Sequence, residues 1–266
     1  MSLFTTELLG FIALSIAATG SVAYVIYWTL NDSPISQWLH DSDAVVPSFL
    51  SITAFIFGLT VSTLAGYSFD RHEAATSNLI TESSAINSII NVATVLPLED
   101  QMLISSGIGN YIHAVIEKEW PAMSNMETEQ REIAFPEFLT LSKIINKVAY
   151  QPNQRSSVEN QLESALTTIR HDRQERQSLA YDNNKLKKWL SIPISSFLLL
   201  LSVGIVHLGS LKAMKVSLTI ASLCIVTSML FLFISLSPYR GLTPIKPHQL
   251  QESFKLLDIL KPNKGI

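Results

Sequence analysis

The sequence predicts an all-α integral membrane protein with four membrane-spanning helices and a helical domain inserted between the second and third spans. Two observations lead to this prediction. The chain has 266 residues, of which 47% are hydrophobic and only 15% are charged, whereas about 25% of residues are charged in a typical soluble domain. Four segments without a charged residue are each long enough to cross the roughly 30 Å hydrocarbon core of a bilayer: residues 8–30, 45–68, 189–210 and 216–237.

The first two spans form a predicted transmembrane hairpin over residues 1–69. A cleaved signal peptide is the alternative for the first segment, but such peptides have a basic start and a shorter apolar core. No Lys or Arg precedes residue 8, so we expect a retained span. Its small residues recur every three or four positions, which predicts close contact with another helix: Gly10, Ala13, Ala17 and Gly20.

Residues 70–188 contain most of the charged side chains and are predicted to form a helical cytosolic domain. Its first helix continues from span 2 without a Pro or Gly, and the next is expected over residues 98–120, ending at Pro121. Further helices are expected over residues 136–150 and from Ser156, the last continuing unbroken into span 3. The section Arg170–Arg176 has no apolar residue, so it is predicted either to bridge through solvent or to be paired through charges.

The last two spans form a second predicted hairpin over residues 189–239, followed by a Pro-rich cytosolic tail over residues 240–266. Pro238, Pro244 and Pro247 predict an extended start of this tail. A short amphipathic helix is expected from His248 to Leu260.

Basic residues predict the orientation, because they are enriched in cytoplasmic loops. The loop after span 1 carries three Asp and no Lys or Arg. On the opposite side of the membrane, Arg71 follows span 2, Lys187 precedes span 3 and Arg240 follows span 4. Lys212 and Lys215, between spans 3 and 4, point the other way. The balance predicts a multi-pass protein of the bacterial inner (plasma) membrane with both termini and the inserted domain in the cytosol.

No catalytic signature, cofactor motif or metal-binding spacing occurs in the chain. Its one cysteine, Cys224, excludes an intramolecular disulfide and a paired-cysteine metal site. A net charge of −3 without a basic block gives no indication of nucleic-acid binding. We therefore expect no enzyme, no cofactor and no bound metal, with the lipid bilayer as the first partner.

Span 2 is the candidate lining of a pore. An apolar constriction can gate ions by dewetting and needs no charged residue. Five large apolar side chains could form such a neck: Phe49, Ile52, Phe55, Ile56 and Leu59. The alternative is that each of them faces lipid or a neighbouring helix.

The chain also resembles the bacterial bestrophin-like family, a domain of unknown function. The resemblance rests on the order of several short motifs relative to the spans: Glu73-Ala74, Glu82 with Ala85, Leu96-Pro97, Tyr111 with Val115, Trp120-Pro121, Pro238-Tyr239 with Gly241, and then Pro247 and Leu250. The chain departs from the family where Leu236-Ser237 replace a frequent acidic residue and where Ser83 replaces a frequent Ala.

This resemblance implies a homo-oligomeric channel, pentameric and conducting small anions, with span 2 lining an apolar neck. Bestrophins of eukaryotes bind calcium through an acidic segment after the last span. The tail of this chain has only Glu252 and Asp258, so no such calcium site is expected. The other hypothesis left open by the sequence is a non-conducting membrane scaffold or sensor whose helical cytosolic domain binds a partner.

Overall fold

A computed structural model of the chain describes residues 3–34, 36, 48–125, 132–152, 154–181, 189–235 and 237–260. This part of the chain is α-helical, with an isolated antiparallel bridge between Ser237 and Arg240 and no strand. The all-α fold class is therefore confirmed. The chain divides into two compact units, one comprising Met1–Asp70 with Asn183–Leu236 and the other Arg71–Asp182 with Ser237–Ile266.

The helices follow one another in the order α1 (Leu3–Asn31), α2 (Ser48–Ala93), α3 (Leu98–Ala114), α4 (Trp120–Asn125), α5 (Phe135–Ala149), α6 (Ser156–Ala180), α7 (Ser191–Val206), α8 (Leu211–Ile234) and α9 (His248–Leu256). A π turn at Val115–Glu119 joins α3 to α4, and a 3-10 turn at Leu257–Leu260 follows α9.

Three of the helices, α1, α2 and α8, are long and apolar enough to cross a membrane. Helix α7 is apolar but has 16 residues, fewer than the roughly 20 that a span needs. It ends at Val206 because His207 leaves the helical conformation, with φ −104° and ψ 17°, while its ring Nδ1 contacts the carbonyl oxygen of Val203 at 2.8 Å. Residues 45–47 of the second predicted span lie outside the described residues.

In the first unit, α1, α7 and α8 pack on one another and on the first part of α2. The core is formed by one apolar stripe from each helix: Ile26 and Leu30, Phe57, Leu199, Leu200 and Val203, and Met214, Leu218 and Ile225. Gly204 permits the close approach of α7 to α1, since a Cβ there would lie 2.6 Å from Leu30 Cδ1. The predicted small-residue stripe of α1 does not make this contact. Its four residues are exposed, because α1 packs within the chain through Ile26 and Leu30 instead.

In the second unit, α3 packs against α5, and α5 packs against α6. The later part of α2 completes the core with Ile86, Ile89 and Ile90. Gly107 on α3 has no room for a side chain, because a Cβ there would lie 2.9 Å from Ile144 Cδ1. The segment α9 with its 3-10 turn packs against α3 and buries Leu250, Leu257 and Leu260.

Two predicted helix limits are wrong. The helix predicted over residues 98–120 does not stop at Pro121, because helical structure continues through the π turn and α4 to Asn125. Proline lacks an N–H and its ring clashes with the carbonyl four residues earlier. In the π turn just before Pro121, the Trp120 N–H donates to the carbonyl oxygen of Val115, five residues earlier. This longer spacing widens the helix and leaves room for the proline ring.

The helix that begins at Ser156 does not continue unbroken into the third predicted span. It ends at Ala180, and Tyr181 adopts φ −116° and ψ 47°. The next three residues in the sequence are an Asp and two Asn, residue types with a low propensity for the interior of a helix. Residues 182–188 lie outside the described part of the chain.

Candidate functional site

A buried cluster of charged residues lies in the second unit, where α6 presents charges at core positions. The apolar stripe of this helix starts with Leu162, Leu166 and Ile169 and continues at the same three- and four-residue spacing. Its next buried members are Asp172, Arg173, Arg176 and Gln177. The sequence left two hypotheses for the section Arg170–Arg176. Pairing through charges is confirmed, and bridging through solvent is wrong.

Arg176 is the centre of the cluster and is 2% exposed. Its Nε and Nη2 donate to Oε1 of Glu119 at 3.1 Å and 2.9 Å. Its Nη1 donates to Oε2 of Glu82, and the other oxygen of Glu82 accepts a hydrogen bond from the Tyr111 hydroxyl. One guanidinium thus binds carboxylates from two different parts of the chain. Hydrogen bonds of this charge-assisted kind are roughly twice as strong as neutral ones.

The π turn positions the second carboxylate of this cluster. Glu119 is the last residue of that turn and is 1% exposed. A π turn adds one residue to the helix and so rotates the side chains that follow it. Trp120 comes next, and its ring lies 6.0 Å from the guanidinium carbon of Arg176. Such turns often mark functional sites.

The turn after α8 closes the cluster from the tail. Tyr239 packs edge-on against Trp120, with ring centroids 5.4 Å apart, and the Trp120 indole N–H donates to the carbonyl oxygen of Ile245 at 3.1 Å. Gly241 has a φ of 143°, which side chains strongly disfavour. Glycine is thus required where the chain turns back after Tyr239.

Ser83 joins α2 to the tail helix. Its hydroxyl donates to the carbonyl oxygen of Gln249 at 3.0 Å and lies 2.7 Å from the hydroxyl of Ser253. Both serines are buried, at 6% and 0% exposed. Position 83, where the family frequently has Ala, thus carries a hydroxyl that is hydrogen-bonded within the same chain.

Arg173 and Gln177 form the remaining buried part of α6. The Arg173 guanidinium lies 5.0 Å from the centre of the Phe135 ring, and its Nε is 3.9 Å from Oε2 of Glu119. Both polar atoms of the Gln177 side chain are buried without a hydrogen bond, as is the hydroxyl of Tyr239. Asp172 contacts the ring Nδ1 of His171 at 3.2 Å.

Burial shifts the pKa of three residues in the cluster, and neighbouring charges either oppose or add to each shift. Burial raises the pKa of the Glu82 carboxyl, and Arg176 and the Tyr111 hydroxyl oppose the shift only in part. Burial also raises the pKa of Tyr111, and the neighbouring Glu82 raises it further, so the phenol stays protonated. For Arg176, burial lowers the pKa, but the two glutamates outweigh it and keep the guanidinium charged.

The five pore-lining candidates all lie on the first part of α2. Phe49, Ile52, Phe55, Ile56 and Leu59 are between 44% and 71% exposed in the single chain. They occupy one side of the helix, while Leu50, Phe57 and Val61 on the other side join the core of the first unit. The pore lining stays a prediction.

The six family-motif positions divide into two groups. Glu82 and Trp120 belong to the buried cluster, and Pro238 and Gly241 form the turn that packs against it. Glu73 and Pro121 are exposed. Sequence reasoning missed Glu119, Asp172, Arg173 and Arg176. The signal that could have found them is the continuation of the α6 stripe through charged residues.

Among the described residues, no three His, Cys, Asp or Glu side chains gather where they could hold a metal ion. The guanidinium of Arg176 on α6 instead connects α2 with the π turn, since it binds a carboxylate from each of them.

Comparison with known families and structures agrees with this architecture. A family model, the bestrophin-like domain, matches residues 17–250 of the chain. No curated protein matches the sequence.

Several solved structures share the fold. Two are single-residue variants of a bacterial bestrophin homologue from Klebsiella pneumoniae. One is 11% identical, with a TM-score of 0.63 over 96% of this chain and 99% of that one. The other is 13% identical, with a TM-score of 0.60 over 96% and 98%. A crystal structure of a membrane protein variant is 11% identical, with a TM-score of 0.61 over 94% and 98%. At this level of identity the likeness establishes a shared fold.

Proposed function

We propose, because the chain belongs to the bestrophin-like family, that copies of it assemble in a membrane into an ion channel whose neck is lined by the first part of α2. Family membership favours a channel over an enzyme. Small anions are the proposed permeant ions and five is the proposed number of copies, both from the family resemblance.

The observation that carries the proposal is the division of α2 into two apolar faces. Leu50, Phe57 and Val61 recur at intervals of seven and four residues and pack within the chain. Ile52, Ile56 and Leu59 lie on the opposite face and are 58%, 44% and 56% exposed. In a ring of copies with α2 innermost, this face would surround the axis. An apolar ring of that kind holds back water and ions until it widens.

The exposed small residues of α1 support contact between copies. Gly10 and Gly20 have no heavy atom within 4 Å of the position of a Cβ. Small residues that recur on one face allow helices in lipid to approach closely. We propose that this stripe packs against the neighbouring copy in the ring.

The proposed topology has four spans in two hairpins, residues 1–69 and 189–239, in the bacterial inner membrane. Residues 70–188 and the tail, 240–266, would lie in the cytosol with both termini, in line with the basic residues at those ends of the spans. Helix α7 has 16 residues and so is about 24 Å long. The flanking residues Trp189-Leu190 and His207-Leu208 would complete the third span.

Thiol accessibility combined with bilayer recording tests the neck. In a background where Cys224 is replaced by Ser, Ile56→Cys would be placed on the proposed neck and Leu14→Cys on an exposed position of α1, 67% exposed. A charged thiol reagent reacts in water and poorly in lipid. We expect it to change the current through the Ile56→Cys channel and to leave the Leu14→Cys channel unaffected.

The state of assembly separates the channel from the scaffold or sensor. Purified protein in lipid nanodiscs is expected to form closed rings, seen by electron microscopy and by mass measurement. Rings that give silent bilayers under all voltages tested would reject conduction. A monomer or dimer would reject the ring and leave the scaffold or sensor as the function.

A further inference from the structure

The buried cluster holds more negative than positive charge. Three carboxylates, those of Glu82, Glu119 and Asp172, face two guanidinium groups, those of Arg173 and Arg176. All five residues are at most 5% exposed. Arg71, which is also buried in this unit, donates to the main-chain carbonyl of Leu179. A buried charge without a counter-charge is costly, and a group in that position tends to become neutral by binding a proton.

Glu82 is the most deeply buried of the three carboxylates, and it shares its guanidinium with a second one. It is 0% exposed and shares Arg176 with Glu119, which takes two of the three hydrogen bonds from that guanidinium. Glu119 also has Arg173 within 3.9 Å. Asp172 has His171, whose side chain is 69% exposed. Among the described residues, the other polar group bound to Glu82 is the neutral hydroxyl of Tyr111.

Both hydrogen-bonded contacts of the Glu82 carboxyl can also persist when it binds a proton. At present the Tyr111 hydroxyl donates to Oε1 of Glu82, and Arg176 donates to Oε2. A hydroxyl can act as donor or acceptor. A proton taken from water by Oε1 would turn that oxygen into a donor, and the Tyr111 hydroxyl would rotate to accept from it. Oε2 would keep its bond from Arg176 as a neutral carbonyl oxygen.

We propose that Glu82 is a proton-binding site that sets the strength of the contact between α2 and α6. When the carboxyl is ionised, Arg176 and Glu82 form an ion pair. When it binds a proton from water, the attraction between opposite charges is lost, and the contact becomes a weaker hydrogen bond from the charged guanidinium to a neutral carbonyl oxygen. The groups that face Glu82 are Arg176 and Asp172 from α6, Tyr111 from α3, Glu119 from the π turn and Tyr239 from the tail. The proposal does not depend on ion conduction.

Infrared titration of the full chain in nanodiscs tests the proposal. A protonated buried carboxyl has its own C=O absorption, which disappears when the group ionises. We expect this absorption to persist at pH values where exposed glutamates, with a pKa of about 4.3, are already ionised. It should be missing from Glu82→Gln and unchanged in the matched control Glu73→Gln, which changes an exposed glutamate of the same helix.

Glu119→Gln tests the charge argument separately. It removes one negative charge from the cluster and leaves Arg176 to pair with Glu82 alone. The midpoint of the titration should therefore fall, by roughly one pH unit or more. The proposal is overturned if the wild type lacks the absorption, if it survives in Glu82→Gln, or if Glu119→Gln leaves the midpoint in place. Should Glu82→Gln fail to fold, the Glu119→Gln midpoint decides.

Discussion

Arg176 and Glu82 lie 94 positions apart in the chain and form an ion pair in which both side chains are at most 2% exposed. The pair connects α6 to the helix that carries the proposed channel neck. Glu119 adds a second carboxylate to the same guanidinium. The loss of Arg176 would therefore leave two carboxylates buried without their main counter-charge.

Replacement of Arg176 by Met is expected to destabilise the protein by about 3–5 kcal/mol, the usual cost of breaking a buried pair from one side. The measurement is the free energy of unfolding in detergent, followed by circular dichroism. Arg170→Met is the matched control, because Arg170 is exposed on the same helix, and it should change stability by no more than about 0.5 kcal/mol. The triple variant Arg176→Met, Glu82→Gln, Glu119→Gln should regain part of the loss. Equal stabilities of the two single variants would contradict the role given to Arg176.

The difference in unfolding free energy between the wild type and Glu82→Gln should depend on pH. The pKa of Glu82 is raised by burial above its ordinary value of 4.5, so the folded protein binds the proton more tightly than the unfolded chain does. This contribution to stability is fully present below the unfolded pKa and is lost as pH rises through the folded pKa. The difference should fall by about 1.4 kcal/mol for each unit between the two pKa values. A difference that stays constant or rises over this range would refute the shift.

Gly241→Ala should destabilise the turn after α8 by about 1–3 kcal/mol, because a φ of 143° is strained for any residue with a Cβ. The turn places Tyr239 against Trp120, so near-ultraviolet circular dichroism should change as well as the melting temperature. Gly209→Ala serves as the control, since no heavy atom lies within 4 Å of a Cβ at that position. An unchanged melting temperature for Gly241→Ala would show that the turn relaxes without cost.

Gly204→Val is expected to cost about 1–3 kcal/mol by overpacking the contact between α7 and α1. A Cβ at Gly204 would lie 2.6 Å from Leu30 Cδ1 and 3.0 Å from Ile26 Cγ2. Thermal unfolding in detergent measures the effect, and Gly66→Val, at a position with open space around it, is the comparison. In a Leu30→Ala background the same substitution should cost less, because the clashing methyl group is gone. Additive costs in the double variant would show that the two positions do not touch.

The sequence alone determined the all-α class and the apolar helices. Charged residues are costly in hydrocarbon, so membrane-spanning segments can be recognised as long stretches without charge. Helical spacing likewise predicted α5 and the start of α6, whose apolar stripes are regular over several turns. The family resemblance was also readable, since its motifs keep their order relative to the apolar segments.

The tertiary structure alone decided where the charges of α6 lie. The sequence showed that Arg173 and Arg176 are polar, but it did not show which residues they pair with. Their partners, Glu119 and Glu82, lie 54 or more positions away in the chain. A charge at a core position is tolerated only when a counter-charge from another part of the chain reaches it. The continuation of the helix through Pro121 depends on the π turn just before it, which a hydropathy pattern does not reveal. The pattern of residues within a segment indicates whether that segment is exposed to water or to lipid. The buried cluster, in contrast, depends on which distant segments pack against one another.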